Sequence, residues 1–177
     1  MNDRVTELPS DWLRESDEVF FRKPSKYIFG AGDVNSLIDL AELTPRKRAR
    51  LCIHEGPDKD VHQMLIVHPR NAYIRPHKHQ SREEIFMVLD GSVEYIEFDN
   101  QGSVCSRDMM GDYNSGRTFI RYIPPQTYHS ILIHSERLVF FEVTEGPFKE
   151  TDTVFAGWSP KPQDKNEVRR FLDNLTS

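Results

Sequence analysis

A chain of 177 residues with 37% hydrophobic and 29% charged side chains can fill one sizeable core and reads as an ordinary globular protein. Its formal net charge of −5 argues against nucleic acid or an anionic membrane as the main partner, because both attract basic surfaces. The cysteines, Cys52 and Cys105, lie far apart, match no CxxC spacing and cannot build a disulfide framework, which favours a reducing compartment.

The first residues, MNDRVTELPSDWL, carry no apolar core after their charges, so no secretory signal is expected and the expected location is the cytoplasm. No apolar run approaches the roughly 20 residues a membrane helix needs. Residues 1–32 read as an N-terminal extension. From Asp33 to Leu43, Val34, Leu37, Ile38 and Ala41 recur at helical spacing, with Asp33 as a candidate N-cap and Pro45 just beyond the end. The basic run from Pro45 to Arg50 then reads as a solvated helix end, favoured by the helix dipole, in preference to a phosphate site.

Short strands follow. They are predicted near Ala49–His54, Gln63–Val67, Tyr73–Pro76, Glu84–Leu89, Val93–Phe98, Phe119–Ile123, His129–Ile133 and Arg137–Val143, with turn signals at Asp90-Gly91, Asp99 to Gly102 and Ser135-Glu136. Arg107 to Gly116 (RDMMGDYNSG) reads as a longer loop, and the chain turns irregular after Gly146-Pro147. Val168, Phe171, Leu172 and Leu175 mark a short C-terminal helix within residues 161–177. Many short strands with frequent turns predict an all-β sandwich or barrel over residues 33–160. In Glu84–Leu89 and Arg137–Val143 both faces are apolar. A half-exposed antiparallel strand alternates apolar with polar, so a helix or a second copy of the chain, as a homodimer, is expected to cover the outer face.

The chemistry concentrates in His77-Lys78-His79, followed after four residues by Glu84 and then by Gly91. Alternate side chains of a strand share a face, so both imidazoles point the same way. A hairpin brings the Glu84 carboxylate beside them. Pro124-Pro125-Gln126-Thr127-Tyr128-His129 supplies a rigid turn and a third imidazole. Three neutral imidazoles and one carboxylate suit a single divalent ion, Fe(II), Mn(II), Ni(II) or Zn(II).

These residues resemble the two motifs of the cupin superfamily. The first has HxH, a Glu after three or four residues and a Gly after six more. The second reads PxGxxH. His77, His79, Glu84 and Gly91 fit the first, and Pro124 and His129 the second. Gln126 departs from the motif's Gly, and Ile133 stands where an Asn often follows. Arg48 to His54, Asp60 to Met64, Tyr73 to His79, Phe140 to Val143, Gly146-Pro147-Phe148 and Ala156 to Pro160 are similar to WbuC-type cupin metalloproteins. The resemblance implies a single jelly-roll-like cupin β-barrel with short N- and C-terminal helices, a metal site, and association with bacterial surface polysaccharide such as O-antigen.

Further candidates surround this set. Glu142 shares a strand face with Leu138 and Phe140 and needs a partner. It can hold a ligand imidazole, act as a general base, or pair with Arg50 or Arg75. Tyr128 is a second catalytic candidate. Tyr73 and Arg75, on the face of His77, and His54 are candidates for binding substrate. His62, His68 and His134 read as surface or turn histidines, and Trp158 either packs the tail or stacks on a sugar. The expected function is a metal-dependent enzyme acting on a small molecule, a sugar or sugar nucleotide. The alternatives are a non-haem Fe(II) dioxygenase and a non-catalytic carbohydrate-binding module.

Overall fold

Alternation of side chains sorts the middle of the chain into strands with one face toward a shared core, and the structure, a computed structural model, shows how they assemble. It describes residues 7–24 and 28–176. Twelve strands and two α-helices form among them: β1 Trp12–Arg14, β2 Val19–Arg22, α1 Ala31–Glu42, β3 Ala49–Cys52, β4 Val61–Pro69, β5 His77–His79, β6 Glu84–Asp90, β7 Ser92–Phe98, β8 Val104–Gly111, β9 Ile120–Ile123, β10 Tyr128–Ile133, β11 Arg137–Glu145, β12 Thr153–Phe155 and α2 Lys165–Thr176. Among the described residues one sheet runs β1-β2-β3-β4-β11-β6-β9 and the other β12-β5-β10-β7-β8. All pairings between these strands are antiparallel except β2 with β3.

The core between the sheets holds Met64, Phe86, Val88, Val93, Tyr95, Met110, Leu138 and Phe140. Each such side chain contributes about 1.5–3 kcal/mol by leaving water. The helices close the outside. Leu37, Leu40 and Ala41 of α1 pack on Leu51, Leu65, Val67 and Val139, on the outer face of the larger sheet. Phe171, Leu172 and Leu175 of α2 pack with Ile96, Phe98, Leu132 and Trp158 over the smaller one. Trp158 thus secures the tail. Its ring lies 5.1 Å from Phe98 and leaves room only for glycine at position 102, where an added Cβ would come within 2.8 Å of the indole.

Several elements differ from the sequence expectation. The N-terminal extension adds two strands, the second paired in parallel with β3. Helix α1 starts at Ala31, so Asp33 does not cap it as the N-cap residue. Instead its carboxylate accepts the Gly30 N–H at 2.8 Å from inside the first turn. The basic run is paired: Glu18 accepts from Arg46 at 2.6 Å and Arg48 at 2.9 Å. The first half of the expected loop at 107–116, as far as Gly111, is strand β8. Its inward Asp108 meets Arg121, and its outward Arg107 reaches Glu94 at 3.2 Å and the Leu175 carbonyl at 2.7 Å. The expected strand at 73–76 is irregular, and the ladder begins only at His77. Pro76 has no N–H to offer a ladder, and its carbonyl accepts from Ala156 at 2.9 Å.

Candidate metal centre

Strands β5 and β10 pair with His77 directly opposite His129, and His79 lies two residues further along the same face. Glu84 opens β6 in the facing sheet. The three histidines each present a ring nitrogen such that all three atoms lie within 4.8 Å of one another. The Glu84 carboxylate lies against two of them, 3.0 Å from His79 Nε2 and 3.4 Å from His129 Nε2.

The outer ring nitrogens have partners of their own. Nδ1 of His77 is 2.9 Å from the Arg75 carbonyl, and Nδ1 of His129 is 2.9 Å from the Thr127 carbonyl. A carbonyl only accepts, so both rings carry their proton on Nδ1 and turn an Nε2 lone pair inward. Burial, with the neighbouring His129 ring adding to it, pushes His77 down to about 3. Burial alone would raise the Glu84 carboxyl, but the neighbouring His129 and His79 rings hold it below the usual carboxylate range. Convergent imidazoles beside a carboxylate fit a divalent ion of the borderline kind.

Two turns set this geometry. Gly91 has φ +98, and an added Cβ there would meet the Arg137 carbonyl oxygen at 2.5 Å, which is why the turn after β6 takes glycine. Gln126 also adopts a positive φ, 66. The motif's usual glycine fits that conformation freely, whereas glutamine there costs about 1–2 kcal/mol. Two hydrogen bonds offset this: Gln126 N donates to the His79 carbonyl and Gln126 Nε2 to the Gln80 carbonyl, both at 2.8 Å. The departure from the motif therefore leaves the turn in place and stitches it to β5.

The remaining candidates are distributed as follows. Glu142 lies beyond Leu138 and Phe140 on the core-facing side of β11, opposite Met64 and Phe86. Burial, then the charge of Glu84, pushes its carboxyl up to about 7, against the opposing pull of Arg50. Tyr128 lies on the other face of β10 from His129. Its ring meets Trp158 at 6.0 Å, and the Lys78 ammonium sits over it at 4.7 Å, so the structure does not bring it to the histidines. Tyr73 Oη donates to the Pro160 carbonyl at 3.0 Å. The Arg75 guanidinium donates to Ser159 Oγ at 3.0 Å and the Ala156 carbonyl at 3.1 Å, and covers the Phe155 ring. Tyr73 and Arg75 thus hold the C-terminal segment. Arg75 and Phe155 stand beside His77, the most exposed of the three histidines.

His54 accepts from Gln63 N at 3.0 Å and stacks on His62, with ring centroids 4.2 Å apart. It is not part of the histidine cluster. His62, expected at the surface, is 4% exposed. His68 lies against Phe140, 5.5 Å between centroids, and is only partly exposed.

Other residues in contact with the cluster carry no mark in the sequence. The Tyr95 ring stacks on His129 at 5.7 Å. Arg121 covers the Tyr95 ring at 4.1 Å and pairs with Glu97 at 2.6 Å. Arg82, Asp152 and Thr153 gather behind His79. The chain separates Arg82 from Asp152 by 70 positions, so no local pattern could have joined them.

Fold and site together define a cupin-type β-barrel whose clustered histidines can hold a metal ion. A family model described as a domain of unknown function, DUF6016, matches residues 30–110. Among solved structures, protein SO0799 from Shewanella oneidensis is similar at 12% identity with a TM-score of 0.51, over 72% of this chain and 85% of that one. CapF, solved with the inhibitor 3-isopropenyl-tropolone, is similar at 15% identity and a TM-score of 0.51, over 63% of this chain and 32% of its own. Oxalate decarboxylase from Bacillus subtilis shares 22% identity at a TM-score of 0.48, and the match covers only 27% of its length. The likenesses to SO0799 and CapF support the fold. No curated protein matches the sequence.

Proposed function

We propose that this chain is a metal-dependent enzyme acting on a sugar or sugar nucleotide in the making of bacterial surface polysaccharide. The observation that carries the enzymatic reading is Glu142, a carboxyl pushed up to about 7 inside the barrel that also holds three convergent imidazoles. A group titrating near neutrality can both take and return a proton. His77, His79 and His129 would hold the ion, with Glu84 beside them. When bound, such an ion supplies Lewis-acid polarisation of a carbonyl or hydroxyl oxygen. Glu142 moves the proton at the polarised centre. Arg75, whose guanidinium holds the C-terminal segment near His77, would offer a cation to an acidic group of the substrate. The sugar assignment rests on the resemblance to WbuC-type cupins.

Protein purified without chelators is expected to carry about one equivalent of divalent metal by elemental analysis, and His77→Ala or His129→Ala to lose most of it. Full retention in either variant would sink the site. Metal-loaded protein is then incubated with nucleotide sugars. Product that disappears on metal removal and in Glu142→Gln supports the reading. Oxygen uptake with Fe(II) and a small acid replaces it with the dioxygenase. Saturable sugar binding without product replaces it with the binding module.

A further inference from the structure

The three histidines are not held alike. His77 and His129 each face a carbonyl oxygen through Nδ1, at 2.9 Å in both cases, and their protons are fixed there. His79 Nδ1 has two groups within hydrogen-bond distance instead, Arg82 Nη2 at 3.2 Å and Thr153 Oγ1 at 3.3 Å, with the Asp152 carboxylate beyond that distance at 3.9 Å. A guanidinium only donates, so a hydrogen bond from Arg82 requires a bare Nδ1 and a proton on Nε2. Nε2 is then a donor, and Glu84 Oε1 lies 3.0 Å away to accept from it. A hydroxyl also accepts, so Thr153 allows the other tautomer, with the proton on Nδ1 and a free lone pair on Nε2.

The two arrangements exclude each other, and both partners are firmly placed. Arg82 is 7% exposed and Asp152 9%, and they pair at 2.5 Å. Ser81 Oγ donates to the other oxygen of Asp152 at 2.9 Å. Thr153 lies directly opposite His79 in the β5–β12 ladder, and Arg82 Nη2 reaches its hydroxyl at 3.2 Å.

We infer that Thr153 is a positioning residue for the metal centre. In the metal-free chain His79 donates from Nε2 to Glu84 and accepts from Arg82. On metal uptake the Nε2 proton passes to solvent and Nδ1 takes one from solvent, which Thr153 Oγ1 accepts while Arg82 Nη2 keeps only its bond to that hydroxyl, so the ring's charge is unchanged and Glu84 would be released toward the ion. The inference rests on the metal reading above and adds which residue sets the third ligand. It also couples uptake to the segment from Asp152 to Phe155, since that segment carries the accepting hydroxyl.

The test uses the full-length chain with 15N-labelled histidine. Ring 15N–1H correlation spectra of metal-free protein are expected to show His77 and His129 protonated at Nδ1 and His79 at Nε2. After Zn(II) is added, all three are expected at Nδ1. Thr153→Val keeps the shape and removes the acceptor. Its Zn(II) affinity, from competition with a chromophoric chelator, is expected to fall about tenfold to a hundredfold, while Thr153→Ser stays within about threefold of the parent. His79 already at Nδ1 in metal-free protein overturns the inference, and so does a Thr153→Val affinity equal to the parent's. An equal loss in Thr153→Ser overturns it too. A parent chain that takes up no Zn(II) or other divalent ion overturns the metal reading itself, which a wrong tautomer alone does not.

Discussion

Glu142 carries a pH dependence that can be read in sign. Its carboxyl is raised from 4.5 to about 7, first by burial and then by the charge of Glu84. A group whose pKa is higher in the folded chain favours folding below its unfolded pKa, and that contribution is lost as pH rises through the folded one. Above about 7 the metal-free fold therefore holds an anion it disfavours. Glu142→Gln keeps the shape without the charge. Urea unfolding of the metal-free proteins is expected to show the variant more stable by on the order of 2 kcal/mol at about pH 8, and the two proteins equal near pH 4. The same difference at both pH values would mean the group does not titrate in this range. Gln126 makes a related point. It is a departure from the motif when read in sequence, yet in the structure it takes the left-handed backbone of the residue it replaces, held by bonds to His79 and Gln80.

Among the elements, α1 was the most legible, because its apolar spacing is that of a helix. The structure shifts it only from 33–43 to Ala31–Glu42. Leu37 is fully buried under it, against the larger sheet. Leu37→Ala leaves a cavity at that junction and is expected to cost about 2–5 kcal/mol by urea denaturation, with metal content unchanged because the site lies on the opposite face of the sheet. Strand β8 was illegible, since Arg107 and Asp108 break the apolar alternation. It forms because both charges find partners, Asp108 in Arg121 and Arg107 in Glu94. Strand β12 was illegible for a different reason. Three residues make a strand only when a neighbour such as β5 is already there.

At the scale of the whole molecule, the described residues leave one apolar face partly exposed. Helix α1 covers Val139, but Ile85 is 42% exposed, Leu89 40%, Ile120 47% and Tyr122 53%, with Ile85 opposite Tyr122 across β6 and β9. The apolar double face of Glu84–Leu89 is thus left half open by a single chain. We propose that a second copy covers it, since a two-fold pairing sets an apolar patch against itself. Sedimentation is expected to show a dimer for the parent and a monomer for Ile85→Glu with Ile120→Glu, whereas a monomeric parent would refute the pairing. No helix among the described residues is long and apolar enough to cross a membrane.

By itself the sequence determined the β-rich barrel and put His77 and His79 on one strand face. Strand period and turn residues act over a few neighbours, and a motif of local spacing can be read at that range. Only the tertiary structure decided that His129 faces His77, that Glu84 reaches His79 and His129 from the facing sheet and not through a hairpin with β5, that Tyr128 points away, and that Arg82, Asp152 and Thr153 stand behind His79. These depend on which strands pair and in what register, and register is set by the packing of both sheets at once.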